Sequence, residues 1–127
     1  MAFTVAIDGR FADDGVAHSA FQTLALMGNN NGLRLSIQNW TADTVRASIQ
    51  ARHSGATADL FTFPKGSGLY VFVIDTSDDT GILYIDGEHD VTTGASIPDE
   101  RVESTNFNVI LEARSRGIPD IRSGWVW

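Results

Sequence analysis

LYVFVIDTSDDTGILYIDGEHD, running from Leu69 to Asp90, is the stretch that decides the fold. Val71 and Val73 alternate with Tyr70, Phe72 and Ile74, so one face of an extended segment carries the valines and the other the larger apolar groups. Ser77-Asp78-Asp79-Thr80-Gly81 follows with turn chemistry: acidic side chains that accept from backbone N–H groups, and a glycine that tolerates positive φ. Ile82 to Ile85 runs back, and Asp86-Gly87 turns the chain again. A hairpin of this kind is marginal alone and needs a second apolar surface to cover it. The stretch therefore predicts a packed β-structure.

Outward from this hairpin, the period of two persists. Phe3, Val5 and Ile7 alternate with Thr4, Ala6 and Asp8, and Leu33, Leu35 and Ile37 with Arg34, Ser36 and Gln38. Val45, Ala47, Ile49 and Ala51 form a third such series. Each pattern suits an antiparallel strand with one face on a core and one in water. Phe21–Met27 and Phe107–Leu111 are denser, as expected of central strands, and Ile121–Trp127 closes the set with Ile121, Trp125 and Trp127 on one side. Turns are expected at Asn29-Asn30-Asn31-Gly32, Ser54-Gly55, Pro64-Lys65-Gly66-Ser67-Gly68 and Thr92-Thr93-Gly94, with Asn31-Gly32 as a hairpin signal. The start at Pro98-Asp99-Glu100 suits a single helical turn. The expectation is one all-β domain over residues 1–127, a two-sheet antiparallel β-sandwich of roughly nine strands with little or no helix.

Composition narrows the function. The 127 residues are 43% hydrophobic and 20% charged, ordinary for a globular chain. No run approaches the roughly 18 apolar residues that span a bilayer, and MAFTVAIDGR lacks the basic start of a signal peptide. Membrane insertion is not expected, and localisation stays unassigned, with a virion surface as one compatible place. Cysteine is absent, which removes disulfides and thiolate chemistry. A net charge of −7, with one Lys against eight scattered Arg, argues against nucleic-acid binding.

The order of these pieces resembles the concanavalin A-like lectin/glucanase jelly roll, in its laminin-G/pentraxin-like branch. FTVAIDGRF, QTLALMGNNNGLRLSIQ, TVRASIQARHSG and the Leu69–Asp90 hairpin carry the likeness, and Ile82-Leu83-Tyr84-Ile85-Asp86-Gly87 fits the family's strand-to-turn pattern. The resemblance covers Phe3 to Leu111. It implies a jelly-roll sandwich that binds glycans or proteins, sometimes with calcium. The chain is shorter than most such domains, and Ile118-Pro119-Asp120-Ile121-Arg122 matches the family's last strand only loosely. A curtailed sandwich leaves edge strands to protect or pair, which points to a homo-oligomer or a larger particle.

Glu88-His89-Asp90 resembles part of the Glu-x-Asp-x-x-Glu pattern of glucanases of this fold, but the third position is Thr93. Retaining hydrolysis needs two carboxyl groups about 5–5.5 Å apart, so no catalytic residue is assigned and no enzyme is expected. Glu88 and Asp90 are read as solvated residues in or just after the Asp86-Gly87 turn. Asp75, Asp78 and Asp79 are candidate calcium ligands, their plain alternative being turn residues facing water; calcium wants about six to eight oxygens. His18, His53 and His89 follow no metal spacing. Trp40 offers an apolar face to a sugar, and Asn29, Asn30, Asn31 and Asn39 offer polar partners; its alternative role is to cap the core. Trp125 and Trp127 are read as assembly-interface anchors, Trp being enriched in interface hot spots. The functional expectation is a non-catalytic, lectin-like recognition module for a glycan or protein within a surface assembly. The alternative is a decoration, fibre or spike subunit of a phage-like virion.

Overall fold

The computed structural model of the chain describes residues 2–11, 22–27, 32–39, 41–52, 54–93, 96–98, 107–109 and 120–126. They form ten strands: β1 (Ala2–Phe11), β2 (Gln22–Met27), β3 (Leu33–Asn39), β4 (Thr44–Ala51), β5 (Thr57–Pro64), β6 (Gly66–Asp75), β7 (Thr80–Ile85), β8 (Glu88–Thr93), β9 (Phe107–Val109) and β10 (Asp120–Val126). The first sheet runs β10-β1-β6-β7-β8 and the second β5-β4-β3-β2-β9. Every pairing is antiparallel. No helix occurs among the described residues. The two sheets make the expected all-β sandwich; of the expected helical turn only Pro98 is described, and it is not helical.

Alternation builds the core. Phe3, Val5, Ile7 and Phe11 of β1 are buried, as are Tyr70, Phe72 and Ile74 of β6. The second sheet answers with Leu33, Leu35 and Ile37 of β3, Val45, Ala47 and Ile49 of β4, and Phe61 and Phe63 of β5, all in one cluster. Aromatic rings join the layers: Phe63 meets Phe11 edge-on with centroids 5.2 Å apart, and Phe61 lies 5.9 Å from Phe72. Tyr70 stands 4.6 Å from Phe11 and 5.5 Å from Phe63. Offset and edge-on pairs of this kind add about 0.5–1.5 kcal/mol each beyond their buried area.

The layers are also covalently close. Lys65 alone separates β5 in the second sheet from β6 in the first. The chain bends from sheet to sheet at Pro64-Lys65-Gly66, a corner of the kind found where strands switch layers. The Lys65 N–H donates to the Asp43 carbonyl at 2.9 Å, tying the bend to the β3–β4 connection. Pro64-Lys65-Gly66-Ser67-Gly68 was expected to be a loop on composition. Gly66, Ser67 and Gly68 instead pair with Phe11, Arg10 and Gly9, because β1 supplies a ladder that local composition does not reveal.

One strand comes without any expectation for it, and three further expectations change. Thr57–Pro64 is a full strand, and its alternation of exposed and buried residues is readable once its neighbours are known. The positive φ of the β6–β7 turn falls on Asp79 (φ 53), while Gly81 is buried in β7 opposite Ile74. Phe107–Val109 lies at the edge of the second sheet, not its centre. In β10 the register shifts, so that Ile121 pairs with Gly9 but Trp125 pairs with Ala6. Those partners sit on opposite faces of β1, and the bulge separates residues that simple alternation had grouped.

The outer faces differ sharply. On the second sheet, the Arg46 guanidinium donates to Gln38 Oε1 at 3.1 Å and sits 3.3 Å from Asp59. The Ser48 hydroxyl donates to Asp59 at 2.8 Å, and Arg34 donates to Gln50. On the first sheet, the outward positions include Leu69, Val71 and Val73 of β6, Ile82 and Tyr84 of β7, and Trp125 of β10, with Asp8 beside Leu69 and Arg10 and Asp75 toward the two ends of the β1–β6 ladder. Phe72→Ala, at a fully buried position between the aromatic rings of β5, is expected to lower unfolding free energy by about 3–5 kcal/mol in urea titration. A loss near zero would show that the rings do not hold the layers.

Candidate functional site

The corner opens into a cleft of about 530 Å³, within the range of small-ligand sites. One wall is the bend itself, with Pro64, Lys65, Gly66 and Ser67; the other is the β7–β8 turn, with Ile85, Asp86 and Glu88. Tyr70, only 2% exposed, also lines it. Alternation explains this mixture. Ile85 is the last residue of β7 and its partner Tyr70 faces inward from β6, so the cleft lies at the rim between the layers and not on an outer face.

Asp86 is held in place by its backbone. Asp86 and Gly87 adopt φ of 52 and 82, and Ile85 pairs directly with Glu88. This is the two-residue hairpin geometry that an Asp-Gly pair favours. The Asp86 N–H donates to the Leu69 carbonyl at 2.8 Å, and the Leu69 N–H donates back to Asp86 Oδ1 at 2.9 Å. The carboxylate packs so closely on Gly68 that a Cβ there would lie 2.7 Å from both of its oxygens. Glycine at 68 is thus required by close approach. Burial, and then the nearby Asp86 charge, push the Tyr70 phenol above its ordinary value. The cleft thereby gathers an ammonium, two carboxyl groups and a neutral phenol beside the apolar edges of Pro64 and Ile85.

The other expected site residues are placed differently. Trp40, Asn29, Asn30, Asn31 and Trp127 lie outside the described residues, and Asn39 ends β3, its backbone paired with Val45. Leu33 and Asn39 are the two ends of β3, about 20 Å apart at strand rise. Trp125 is described and is 51% exposed.

Asp75 and Asp79 serve the β6–β7 turn. Asp75 Oδ1 accepts from the Ser77 hydroxyl at 2.6 Å and the Ser77 N–H at 3.0 Å, and the Ser77 hydroxyl bond above all holds its carboxyl below the usual range. Asp79 Oδ1 accepts from the Ile97 N–H at 2.7 Å, while Asp78 is exposed. Among the described residues no three His, Asp or Glu side chains converge on a metal position. Glu88 directly follows the Asp86-Gly87 turn, opens β8 and is exposed, and Asp90 lies two residues further along the same strand. Pairing there passes from His89 to Val91, so Asp90 is the extra residue of a bulge and the even spacing from Glu88 is broken.

Lys65, Tyr70, Asp86 and Glu88 come from three separate stretches of sequence. The Asp86-Gly87 turn, the Pro64–Gly68 composition, the Glu88-His89-Asp90 run and the Tyr70–Ile74 alternation each touched one of them, and none indicated that they meet. No family model, curated protein or solved structure matches the chain.

Tyr70 also gives a pH prediction. Its folded state favours the neutral phenol, so the stability it contributes is complete below the ordinary pKa near 10 and is lost as pH rises through the higher folded value. In an ultraviolet titration of tyrosinate, Tyr70 should ionise late. Asp86→Asn should bring it part of the way back, since burial is the larger cause. Unchanged ionisation in Asp86→Asn would remove the carboxylate from the cleft's electrostatics.

Proposed function

We propose that the chain is a non-catalytic recognition module of lectin-like, jelly-roll type whose corner cleft takes a sugar unit. The observation that carries this reading is the cleft of about 530 Å³ that gathers Lys65, Tyr70, Asp86 and Glu88 beside Pro64 and Ile85. A sugar presents adjacent hydroxyls that both donate and accept, together with a C–H face. Carboxylates accept from such hydroxyls, an ammonium donates to them, and the apolar wall covers the C–H face. Asp86, already anchored to the β6 backbone, needs little ordering when a ligand arrives. Calcium remains a proposed addition to this reading, not a requirement of it.

A second reading, a structural subunit of a virion-like particle, is favoured by a different observation. The large exposed hydrophobics among the described residues, Leu69 at 41%, Val73 at 40% and Trp125 at 51%, all lie on the outer face of the first sheet. Both roles can operate in one surface protein.

A glycan array with calcium, repeated with EDTA, tests the first reading. Defined glycans should be retained, and Glu88→Gln or Lys65→Ala should weaken them about tenfold or more, as expected for a lost hydrogen bond to a charged group. Retention lost only in Trp40→Ala would move the site to the β3–β4 connection. A blank array under both conditions would reject glycan recognition.

A further inference from the structure

We infer that two copies of this chain pack against each other through the outer faces of their first sheets. The inference names the partner for the assembly reading above and rests on it, not on the glycan reading.

The face is continuous by register. Trp125, Ala6, Val71 and Tyr84 form one row across β10, β1, β6 and β7, and Thr4, Val73 and Ile82 form the next. A groove of about 460 Å³ runs along this second row. None of these seven side chains carries a charge; Leu69 extends the surface beside them, with Asp8 as its neighbour on β1, and Asp75 lines the far side of the groove. Outward residues of an antiparallel sheet are ordinarily polar, as they are on the second sheet of this same molecule.

Three arguments select a second copy as the occupant. The first is charge: the chain carries −7, so two copies repel over most of their surface, and the two uncharged rows, flanked by Asp8 beside Leu69 and by Asp75 at the far end of the groove, are where they approach at least electrostatic cost. The second is area. The ten-residue strands β1 and β6 are about 33 Å long, and five strands span about 20 Å, giving about 600 Å² before side-chain relief. That is near the roughly 800 Å² each partner buries in a stable interface. The third is complementarity at the rim. Arg10 and Asp75 lie at opposite ends of the β1–β6 ladder. A two-fold axis in the plane of the interface and across the strands sets Arg10 of one copy near Asp75 of the other, twice, and closes the pair. The contact then repeats the sheet-on-sheet packing that already forms the core. Because Tyr70 and Ile85 face inward, the corner cleft stays open in the pair.

Light scattering across a dilution series tests this on the whole chain. The wild type should be a dimer that dissociates on dilution. Trp125→Thr and Val73→Thr should raise its dissociation constant at least tenfold; threonine suits a strand, and cooperative thermal unfolding confirms that each variant is folded. Lys65→Ala should pair like the wild type, so a lost glycan signal with an intact dimer separates failure of the cleft from failure of the face. A wild type that is monomeric at every concentration overturns the inference and gives the face to a different partner. Folded Thr variants that pair as tightly as the wild type overturn it as well, as do open-ended larger species.

Discussion

The bend at Pro64-Lys65-Gly66 is the constraint on which the rest of the molecule depends. A single residue carries the chain from the second sheet to the first, so the two layers cannot slide apart at this corner. The rings of Phe11, Phe63 and Tyr70 fill the space under it. Ring packing of this kind resists displacement because each edge-on contact is lost with a small shift. Further from the corner Phe61 meets Phe72 across the layers, and the rest of the contact is mainly between aliphatic residues, whose attraction is less directional.

The corner also explains why the cleft exists. A strand that leaves one sheet to enter another opens a gap at the rim, since its neighbour β4 stays in the second sheet and β7 in the first. The β7–β8 turn stands across that gap, and Asp86 fixes its position by exchanging two hydrogen bonds with Leu69. Asp86 is consequently held by backbone geometry, while Tyr70 is held by the core itself. A site built on strand ends in this way is better ordered than one built on long loops.

The opposite character of the two outer faces has a simple origin. Both sheets alternate, but β3 and β4 place Arg34, Arg46, Ser48 and Gln50 outward, whereas β6 and β7 place Leu69, Val71, Val73, Ile82 and Tyr84 there. The Leu69–Ile85 hairpin is thus apolar on both faces. Its inner face makes the core, and its outer face is surplus to folding.

Much of this was legible in the residues themselves. Period-two alternation in Phe3–Ile7, Leu33–Ile37 and Val45–Ala51 assigned strands and inward faces correctly, and in Tyr70–Ile74 it assigned the strand and its two faces without choosing the inward one, because a side-chain period of two follows from strand geometry alone. Asp86-Gly87 was readable as a turn because few residue pairs tolerate its dihedrals. The strand character of Gly66–Gly68, the edge position of Phe107–Val109 and the bulges at β8 and β10 were not readable. Each depends on which distant strand supplies hydrogen bonds, and no local preference encodes that. The meeting of Lys65, Tyr70, Asp86 and Glu88 was hidden for the same reason. The sequence by itself determined that this chain makes strands, where most of them turn, and which side chains face inward. Only the tertiary structure decided which strands are neighbours, and therefore which polar residues share a cleft and which apolar residues share an open face.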